Sequence, residues 1–505
     1  MNLSEIQQEI VDTPGNMIVS ASAGTGKTHT MVAKIAKEIE KNHSHKVIAA
    51  ITFTIKAAKE IRDRLTIDST EHFIGTNNSF AIEEIIKPFA RDVYGADYHI
   101  EMCTDYSIKK RTFQECLDYL KSTRTICAYA DNKKNFVFEL ALDIARKSGA
   151  CQLFLQAKYF KIYVDEYQDC DKTMHEFFMY LCNTLKIDLF VVGDDKQSIY
   201  IWRGAYPEAF RSILQMSNFS KKVLRDNFRS CLMIQNYSNL LNDDTRLLYK
   251  ADCDISPIVF VNSSSSSWIV DVQPYLDLSK DVALLRFSND NAKSGASELS
   301  RTGVEFTYVP KTPLSYITTD VVWLYNAIAQ YFVLPKYSIY DFMDEIPEES
   351  IGDRKIKRYL EDNVRGIKDA LDEHNDTKVL ALVTGIAAYF GYEVNEEHVR
   401  AMINTIVNDE YHPAFHMDEL SHVAITFHSS KGLEFEQVIV FANDYALNKP
   451  DSIYNHYVAV TRAKSKLIIV RLSDIHVWAG GQFCQNLKIL FGKSGVTPSE
   501  VMTIA

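Results

Sequence analysis

The stretch that most constrains the fold is "NMIVSASAGTGKTHTMVAKIAKEIE", residues 16–40. A short apolar run leads into a glycine-bearing loop, and apolar residues at helical spacing follow the loop. Residues 21–28 fit the phosphate-loop pattern, except that Ala21 stands at its first glycine. Gly24 and Gly26 would let backbone N–H groups approach a phosphate at the start of the helix. This strand–loop–helix unit is typical of nucleotide-binding α/β proteins.

The polar residues of this loop suit a nucleoside triphosphate. Lys27 can reach the β- and γ-phosphates, and the Thr28 hydroxyl can ligate Mg²⁺. A chance glycine-rich turn is the alternative, but such a turn needs neither a strand before it nor a helix after it. The residues predicted to form the ATP-binding loop are Ala21, Ser22, Ala23, Gly24, Thr25, Gly26, Lys27, Thr28 and His29.

Five apolar runs predict buried strands of parallel sheets, because each ends in polar residues and a helical stretch follows. Functional residues are expected at the carboxyl ends of such strands. Two longer segments, residues of about 82–155 and 335–420, are mostly helical in pattern. The five runs are "KVIAAITFT" (46–54), "YFKIYVDE" (159–166), "LFVVGDD" (189–195), "QVIVFAND" (437–444) and "KLIIVRL" (466–472).

Length and composition favour a soluble protein of several domains. The chain has 505 residues, too many for one compact core, and no apolar run approaches the roughly 18 residues that cross a bilayer. The nine cysteines are scattered without a CxxC pair and the N-terminus lacks a signal-peptide layout, so we expect a reducing cytoplasm. The net charge of −11 argues against indiscriminate coating of nucleic acid, although one basic groove would still allow a nucleic-acid enzyme.

Two carboxylates end the apolar run at residues 159–166. In "YVDEYQD", Asp165 is placed to hold Mg²⁺ through its water shell, and Glu166 to orient or deprotonate the attacking water. Alone, such a pair is more often part of a solvated loop. Together with the phosphate loop, it predicts nucleotide hydrolysis.

Aromatic residues follow the run at 189–195, and two arginines come from distant segments. In "VVGDDKQSIYIWRGA", Gln197 could sense the γ-phosphate, while Tyr200 and Trp202 could stack on unpaired bases. For an isolated aromatic pair, burial in the core is the alternative. Arg229 in "LRDNFRS" and Arg462 in "YVAVTRAK" suit charge-stabilising fingers, although an isolated arginine is usually a surface charge.

Taken in chain order, these stretches resemble the motifs of the UvrD/Rep type of superfamily 1 helicases. The segments "LSEIQQEIV", with Gln7 as adenine reader, "ITFTIKAAKEIRDR", "GTNNSF" and "VAITFHSSKGLEFEQVIV" continue the match. The resemblance implies two RecA-like domains with parallel sheets, which close over ATP and Mg²⁺ and each carry a mainly helical insert. It also implies movement 3′ to 5′ along single-stranded or tailed DNA.

The resemblance also implies roles for single residues. Phe228 would stack on the adenine, Glu434 would lie near the ribose, and Thr28 and Asp165 would hold the metal. The implied catalytic residues are Lys27, Asp165, Glu166, Gln197, Arg229 and Arg462. The implied DNA contacts are Phe53, Thr54, Asn78, Tyr200, Trp202 and His428. The implied division is domain 1A at 1–81 and 156–222, its insert 1B at 82–155, domain 2A at 223–334 and 421–505, and its reduced insert 2B at 335–420.

A narrower resemblance rests on "KYFKIYVDEYQDCDKTMHEFFMYL", "IQNYSNL", "YSIYD" and the short path from "FANDY" to "NHYVAVTRAK". These segments and the compact length resemble the helicase-like B-subunit family of the bacterial Gabija anti-phage system. That resemblance implies a hetero-oligomer with an OLD-family nuclease, which carries an ATPase and a Toprim domain.

Four positions depart from the helicase pattern. Ile55 replaces the usual asparagine, Asn78 a histidine, Phe228 a tyrosine and His29 an arginine. None of these changes removes a group that hydrolysis needs, but the first two positions face DNA in the family and could weaken strand separation. We therefore expect an ATP-driven translocase and helicase of a defence complex. A DNA-sensing ATPase that gates a partner nuclease and a free-standing repair helicase are the open alternatives.

Overall fold

The computed structural model describes residues 3–201, 204–251, 254–347, 354–475 and 478–505. Its strands are β1 Met17–Ala21, β2 Val47–Thr52, β3 Phe73–Thr76, β4 Cys103–Lys110, β5 Thr125–Tyr129, β6 Tyr159–Val164, β7 Asp188–Gly193, β8 Ser220–Leu224, β9 Ile258–Ser263, β10 Val282–Arg286, β11 Thr307–Tyr308, β12 His422–Thr426, β13 Phe435–Phe441, β14 Ala463–Leu472 and β15 Thr503–Ile504.

Helices connect most of these strands. They are α1 Glu5–Asp12, α2 Lys27–Lys41, α3 Ile55–Arg64, α4 Asn77–Ala81, α5 Lys87–Tyr94, α6 Phe113–Thr123, α7 Phe136–Lys147, α8 Gly149–Lys158, α9 Lys172–Asn183, α10 Pro207–Gln215, α11 Leu232–Leu240, α12 Trp268–Val272, α13 Asn289–Leu299, α14 Val322–Val333, α15 Ile339–Asp344, α16 Arg354–Asp372, α17 Asp376–Tyr389, α18 Glu396–Val407, α19 Pro450–Val460 and α20 Trp478–Gly492. Five of these helices, α14 to α18, follow one another between β11 and β12. In the described ranges, no helix is both long and apolar enough to cross a bilayer.

The first sheet has six parallel strands in the order β3-β2-β6-β7-β1-β8. Strand β2 is buried at every residue, and β1, β6 and β7 nearly so, because helices cover both faces of the sheet. The runs predicted as strands at 46–54, 159–166 and 189–195 coincide with β2, β6 and β7. All strands point the same way, so the loops that follow them meet at one edge.

The second sheet has seven parallel strands in the order β11-β12-β10-β13-β14-β9-β15. The predicted runs at 437–444 and 466–472 coincide with β13 and β14. Two parallel sheets with helices between their strands confirm the predicted α/β class and are consistent with two RecA-like domains.

Each sheet is interrupted by an insert. Between β3 and β6, helices accompany a small parallel sheet of β4 and β5, which the helical pattern of this segment did not predict. Between β11 and β12, α14 to α18 enclose one apolar core, which extends from Leu314 to Ile403. The residue limits of the four predicted domains stay a prediction.

His456 of α19 is a buried histidine in the core beside the second sheet. Its Nε2 atom lies 2.9 Å from the Tyr237 hydroxyl, and its ring packs against Tyr445 and Phe483 at 4.6 and 5.3 Å. Burial lowers the pKa of His456 to about 3. Below about pH 6.5, the histidine is therefore protonated in the unfolded chain but stays neutral in the folded chain. The contribution of His456 to the free energy of unfolding is complete above about pH 6.5 and falls by about 1.4 kcal/mol per pH unit towards pH 3.

We expect His456→Gln to flatten this pH dependence, because glutamine takes up no proton and can still meet the Tyr237 hydroxyl. The measurement is the urea midpoint of unfolding between about pH 7.5 and 4.5, for the parent chain and the variant. His43→Gln, at an exposed histidine, is the matched control and should keep the parent slope. Equal slopes for His456→Gln and the parent would assign the acid sensitivity to other groups.

Candidate active site

Two glycines shape the loop after β1. Gly24 and Gly26 have φ angles of +74° and +77°, in the left-handed region that favours glycine. Gly26 caps α2, whose first N–H groups are the donors that phosphate loops use. A Cβ atom at Gly24 would lie 2.5 Å from Asn227 Oδ1 and 2.7 Å from Arg229 Cβ, so a side chain there would clash. The loop is therefore suited to a close approach of backbone and ligand.

The remaining predicted loop residues support this shape. Ala21 is the buried last residue of β1, and Ala23 is buried as well. The Thr25 hydroxyl donates to the Ser22 carbonyl at 2.8 Å, which closes the loop on itself. In the first turn of α2, His29 Nε2 is buried and has no hydrogen-bond partner among the described residues.

Lys27 and Glu166 form an ion pair, Nζ to Oε1, at 3.0 Å. The pair joins the start of α2 to the end of β6. Glu166 has a φ angle of +49°, a conformation that is uncommon for non-glycine residues and recurs at functional sites. Burial alone would raise the pKa of Glu166, but Lys27 and Lys431 hold it at about 2. Glu166 is therefore anionic at neutral pH, as a residue that orients or deprotonates water must be.

Thr28 and Asp165 stand next to the two members of this ion pair in sequence. Asp165 is buried, and its Oδ1 accepts the Glu166 N–H at 2.8 Å. Burial and then repulsion from Glu166 raise the pKa of Asp165 to about 7. A divalent cation fits here, because it would favour the ionised carboxylate. Among the described residues, no cluster of His, Cys, Asp and Glu side chains could enclose a metal, so phosphate or water oxygens would complete its shell.

Lys431, in the segment after β12, reaches Glu166 and the nearby Asp169 from the side of the second sheet. Its Nζ lies 2.5 Å from Asp169 Oδ2, 3.8 Å from Glu166 Oε2 and 3.3 Å from the Gln197 carbonyl. Burial would lower the pKa of Lys431, but Asp169 and Glu166 raise it above its ordinary value. The sequence did not single out this lysine, although it stands in the segment "FHSSKGLEFE".

The two predicted arginine fingers lie in segments that pack on the second sheet. Arg462 is fully buried, and its guanidinium donates to Val458 O at 2.9 Å and to Gln197 Oε1 at 3.4 Å. Arg229 donates from Nε to Glu434 Oε2 at 2.8 Å. Burial and the charge of Arg229 lower the pKa of Arg462 to about 9, so it stays charged at neutral pH. The structure thus brings Gln197, which follows the first sheet, together with Arg462, while Arg229 contacts Glu434 and the Thr461 carbonyl.

The residues predicted to face base and ribose surround the loop. Gln7 is buried and donates from Nε2 to the Thr25 carbonyl at 3.3 Å, while its Oε1 accepts at the start of α1. Phe228 is exposed, as a ring that stacks on an incoming base must be. Glu434 pairs with Lys464 at 2.9 Å. Burial would raise the pKa of Glu434, but Lys464 and the neighbouring arginine lower it.

Two further side chains hold the loop from segments that pack on the second sheet. We call the space between the loop and these segments the cleft. Asn227 donates from Nδ2 to the Ala23 carbonyl at 2.9 Å. The Tyr457 hydroxyl accepts the Ala23 N–H at 3.3 Å and donates to Asp194 Oδ2 at 3.2 Å. Neither Asn227 nor Tyr457 was predicted, although both lie in motif segments, "LRDNFRS" and "HYVAVTRAK". The motif marks the segment, but only the fold shows which of its side chains touch the loop.

On the first sheet, the predicted DNA contacts follow β2 and β3. Phe53 is half-buried against the apolar core, and Thr54 caps α3 by accepting the Ala57 N–H at 3.1 Å. Asn78 donates from Nδ2 to the Tyr106 hydroxyl of β4 at 3.3 Å.

Two of the other predicted DNA contacts, Tyr200 and His428, lie beside the second apolar core. Tyr200 is half-buried against the second apolar core, and the Nζ of Lys431 is 4.9 Å from the centre of its ring. His428 follows β12, with its ring 3.9 Å from that of Phe427. Trp202 lies outside the described residues.

Known proteins share these features. Residues 5–203 match the AAA domain family, and residues 422–470 match the UvrD-like helicase C-terminal domain. DNA helicase II of Haemophilus influenzae is 28% identical in an alignment of 340 residues that covers 53% of this chain and 46% of that protein. The crystal structure of Pif1 helicase from Candida albicans covers 96% of this chain and 100% of that chain at 13% identity, but its TM-score of 0.36 is too low to carry an argument.

One relative matches nearly the whole chain. The Gabija protein GajB of Bacillus cereus (strain VD045) is 39% identical in an alignment of 473 residues that covers 92% of this chain and 94% of that protein. A match over 92% of the chain is therefore not confined to the segments that carry the motifs. The chain belongs to the Gabija GajB family of UvrD-like helicases.

Proposed function

We propose that this protein is an ATP-driven translocase on single-stranded DNA, with 3′ to 5′ polarity, that separates duplexes. The observation that carries the proposal is the junction in one cleft of Lys27 and Glu166 with Gln197 and Arg462, from segments of both sheets. A cleft of this kind can couple hydrolysis to domain movement. Similarity to DNA helicase II supports DNA as the substrate.

Hydrolysis in this cleft begins with a change of partner for Lys27. A triphosphate on the loop offers Lys27 more negative charge than Glu166 does, and Glu166 is then free to accept a proton from the attacking water. Arg229 and Arg462 stabilise the charge that develops on the transferred phosphoryl group. Mg²⁺ held by Thr28 and Asp165 would neutralise phosphate charge.

Coupling to DNA follows from the position of Lys431. This lysine contacts Glu166 and Asp169 on one side and the ring of Tyr200 on the other. A base that moved Tyr200 would therefore disturb the carboxylates of the cleft through one intervening residue. Closing and opening of the cleft can then shift the aromatic contacts along the strand as a change of population between two states.

We propose that the protein works in the bacterial cytoplasm as a subunit of an anti-phage complex with an OLD-family ATPase–Toprim nuclease. The near full-length match to GajB supports this role. The eight cysteines in the described ranges are free of disulfides, in keeping with a reducing compartment. Co-expression with the nuclease from a neighbouring gene should give a complex whose two chains elute together in size-exclusion chromatography. Separate elution of the two chains would contradict the proposed complex.

The first test is ATP hydrolysis with and without single-stranded DNA, together with displacement of a 3′-tailed duplex. We expect DNA to stimulate hydrolysis and the tailed strand to be displaced, whereas Lys27→Ala should lose both activities. Lys222→Ala is the matched control, because it removes an ion pair with Glu9 outside the cleft. Hydrolysis that DNA leaves unchanged would contradict the proposal.

A second candidate is a DNA-sensing ATPase that gates the nuclease without sustained unwinding. Ile55, at a position that faces DNA in the helicases that the chain resembles, is 65% exposed. Asn78 is tied to Tyr106, whose N–H in turn donates to the Thr318 carbonyl beside the second insert at 3.4 Å. These features favour weaker contacts with the DNA strand than sustained unwinding requires. Stimulated hydrolysis without strand displacement would support this candidate over the helicase.

A further inference from the structure

Phe287 is an aromatic residue of the second sheet that is absent from the predicted DNA contacts. It directly follows β10, and its side chain is 53% exposed. A single exposed apolar residue is ordinary on a protein surface, so exposure alone assigns nothing. What matters is the position of the ring and the way in which its backbone is held.

The position is next to a predicted DNA contact. Strands β10 and β12 are neighbours, with Arg286 opposite Thr426, and the Phe427 N–H donates to the Arg286 carbonyl at 3.0 Å. The ring of Phe287 therefore lies beside the segment after β12, with its centre 5.8 Å from that of Phe427 and 6.4 Å from that of His428. The His428 ring meets it edge-on.

The backbone of Phe287 is fixed by a third strand end. Asp444, after β13, accepts the Phe287 N–H at 3.0 Å and binds the Arg286 guanidinium through both carboxylate oxygens, at 2.8 and 3.2 Å. The same guanidinium lies over the Phe441 ring at 3.9 Å. The Arg286 guanidinium is thus held by Asp444 and Phe441, and the backbone of Phe287 is held by the Asp444 carboxylate. The exposed ring of Phe287 therefore projects from a backbone that is fixed by these contacts.

Two predicted DNA contacts are related to this position through the second apolar core. Tyr200 packs against the core that contains Phe427, and the buried Phe427 ring touches both His428 and Phe287. Exposed aromatic rings are the platforms on which single-stranded nucleic acid stacks, and stacking tolerates any base.

We propose that Phe287 stacks on a base of bound single-stranded DNA and extends the track of Tyr200 and His428 across the second sheet. The inference rests on the proposed function, because it names a further contact with the same substrate. Stacking of one base is worth about a 5- to 150-fold change in affinity.

The test is equilibrium binding of fluorescein-labelled oligothymidine, and of a strand of equal length made of abasic sites, by fluorescence anisotropy. We expect Phe287→Ala to bind oligothymidine about 5- to 150-fold more weakly than the parent. On the abasic strand, parent and variant should bind alike, because that strand has no base to stack. Phe287→Trp should restore binding, and Tyr340→Ala, at an aromatic residue of the second insert that is 61% exposed, should bind as the parent does.

Three outcomes would overturn the inference. Parent-like binding of oligothymidine by Phe287→Ala would remove Phe287 from the track and leave its exposed ring for a protein partner. An equal loss on both strands would indicate an effect on backbone or phosphate contacts instead of stacking. A parent chain that binds neither strand would contradict the proposed function itself, which separates that failure from the first two.

Discussion

Replacing Glu166 with glutamine is expected to lower kcat for ATP by about 10²–10⁴-fold, the usual contribution of a positioned general base. Glutamine keeps the size of the side chain and can still accept a hydrogen bond from Gln168 or Lys27, but it cannot take a proton from water. The measurement is steady-state hydrolysis at saturating ATP and single-stranded DNA.

Binding of ATP by Glu166→Gln should equal or exceed that of the parent. The substitution removes the carboxylate that pairs with Lys27 at 3.0 Å, so Lys27 meets the phosphates without first giving up an ion pair. A fluorescent ATP analogue reports this affinity. Glu84→Gln is the matched control, because it breaks a partly buried ion pair with Lys158 at 2.7 Å far from the loop. Parent-like turnover by Glu166→Gln would assign the base to another group, and Asp169 is the neighbouring carboxylate to examine.

The strands that could be predicted from sequence are those that are buried on both faces. In β2, every residue from Val47 to Thr52 is buried, so the segment is a continuous apolar run. Strand β4 has the sequence "CTDYSIKK", which is not a continuous apolar run, and helix α6 separates it in sequence from its partner β5. Its strand character comes from pairing with a distant segment, which a local pattern does not record.

The site residues divide in the same way, into those that a local sequence motif identifies and those that only contacts between distant segments identify. Lys27, Glu166 and Arg462 could be predicted because a motif fixes both their residue type and their place at a strand or helix end. Lys431 could not, since its partner Asp169 is 262 positions away and only the fold brings the two together. Phe287 lies in no predicted motif segment, and its position beside His428 follows from the order of the strands in the second sheet.

The second large effect is expected for Arg462→Lys, which should lower kcat by about 10³-fold or more, as loss of an arginine finger does in phosphoryl transfer. Lysine keeps the positive charge but is a single point of charge without the planar fork of donors. It cannot contact Val458, Leu433 and the Gln197 side chain at once, as the guanidinium does at 2.9, 3.2 and 3.4 Å.

Single-turnover hydrolysis with prebound ATP separates this loss from a loss of binding. ATP affinity should stay within a few-fold of the parent value, because Lys27 and the loop backbone are untouched. Arg246→Lys is the matched control: Arg246 is partly buried and donates to the Leu490 carbonyl at 3.1 Å, away from the cleft, so its variant reports the general cost of replacing a packed guanidinium. If Arg462→Lys turned over ATP at the parent rate, the charge on the phosphoryl group would be stabilised by Arg229 alone, and Arg462 would serve to hold Gln197 in place.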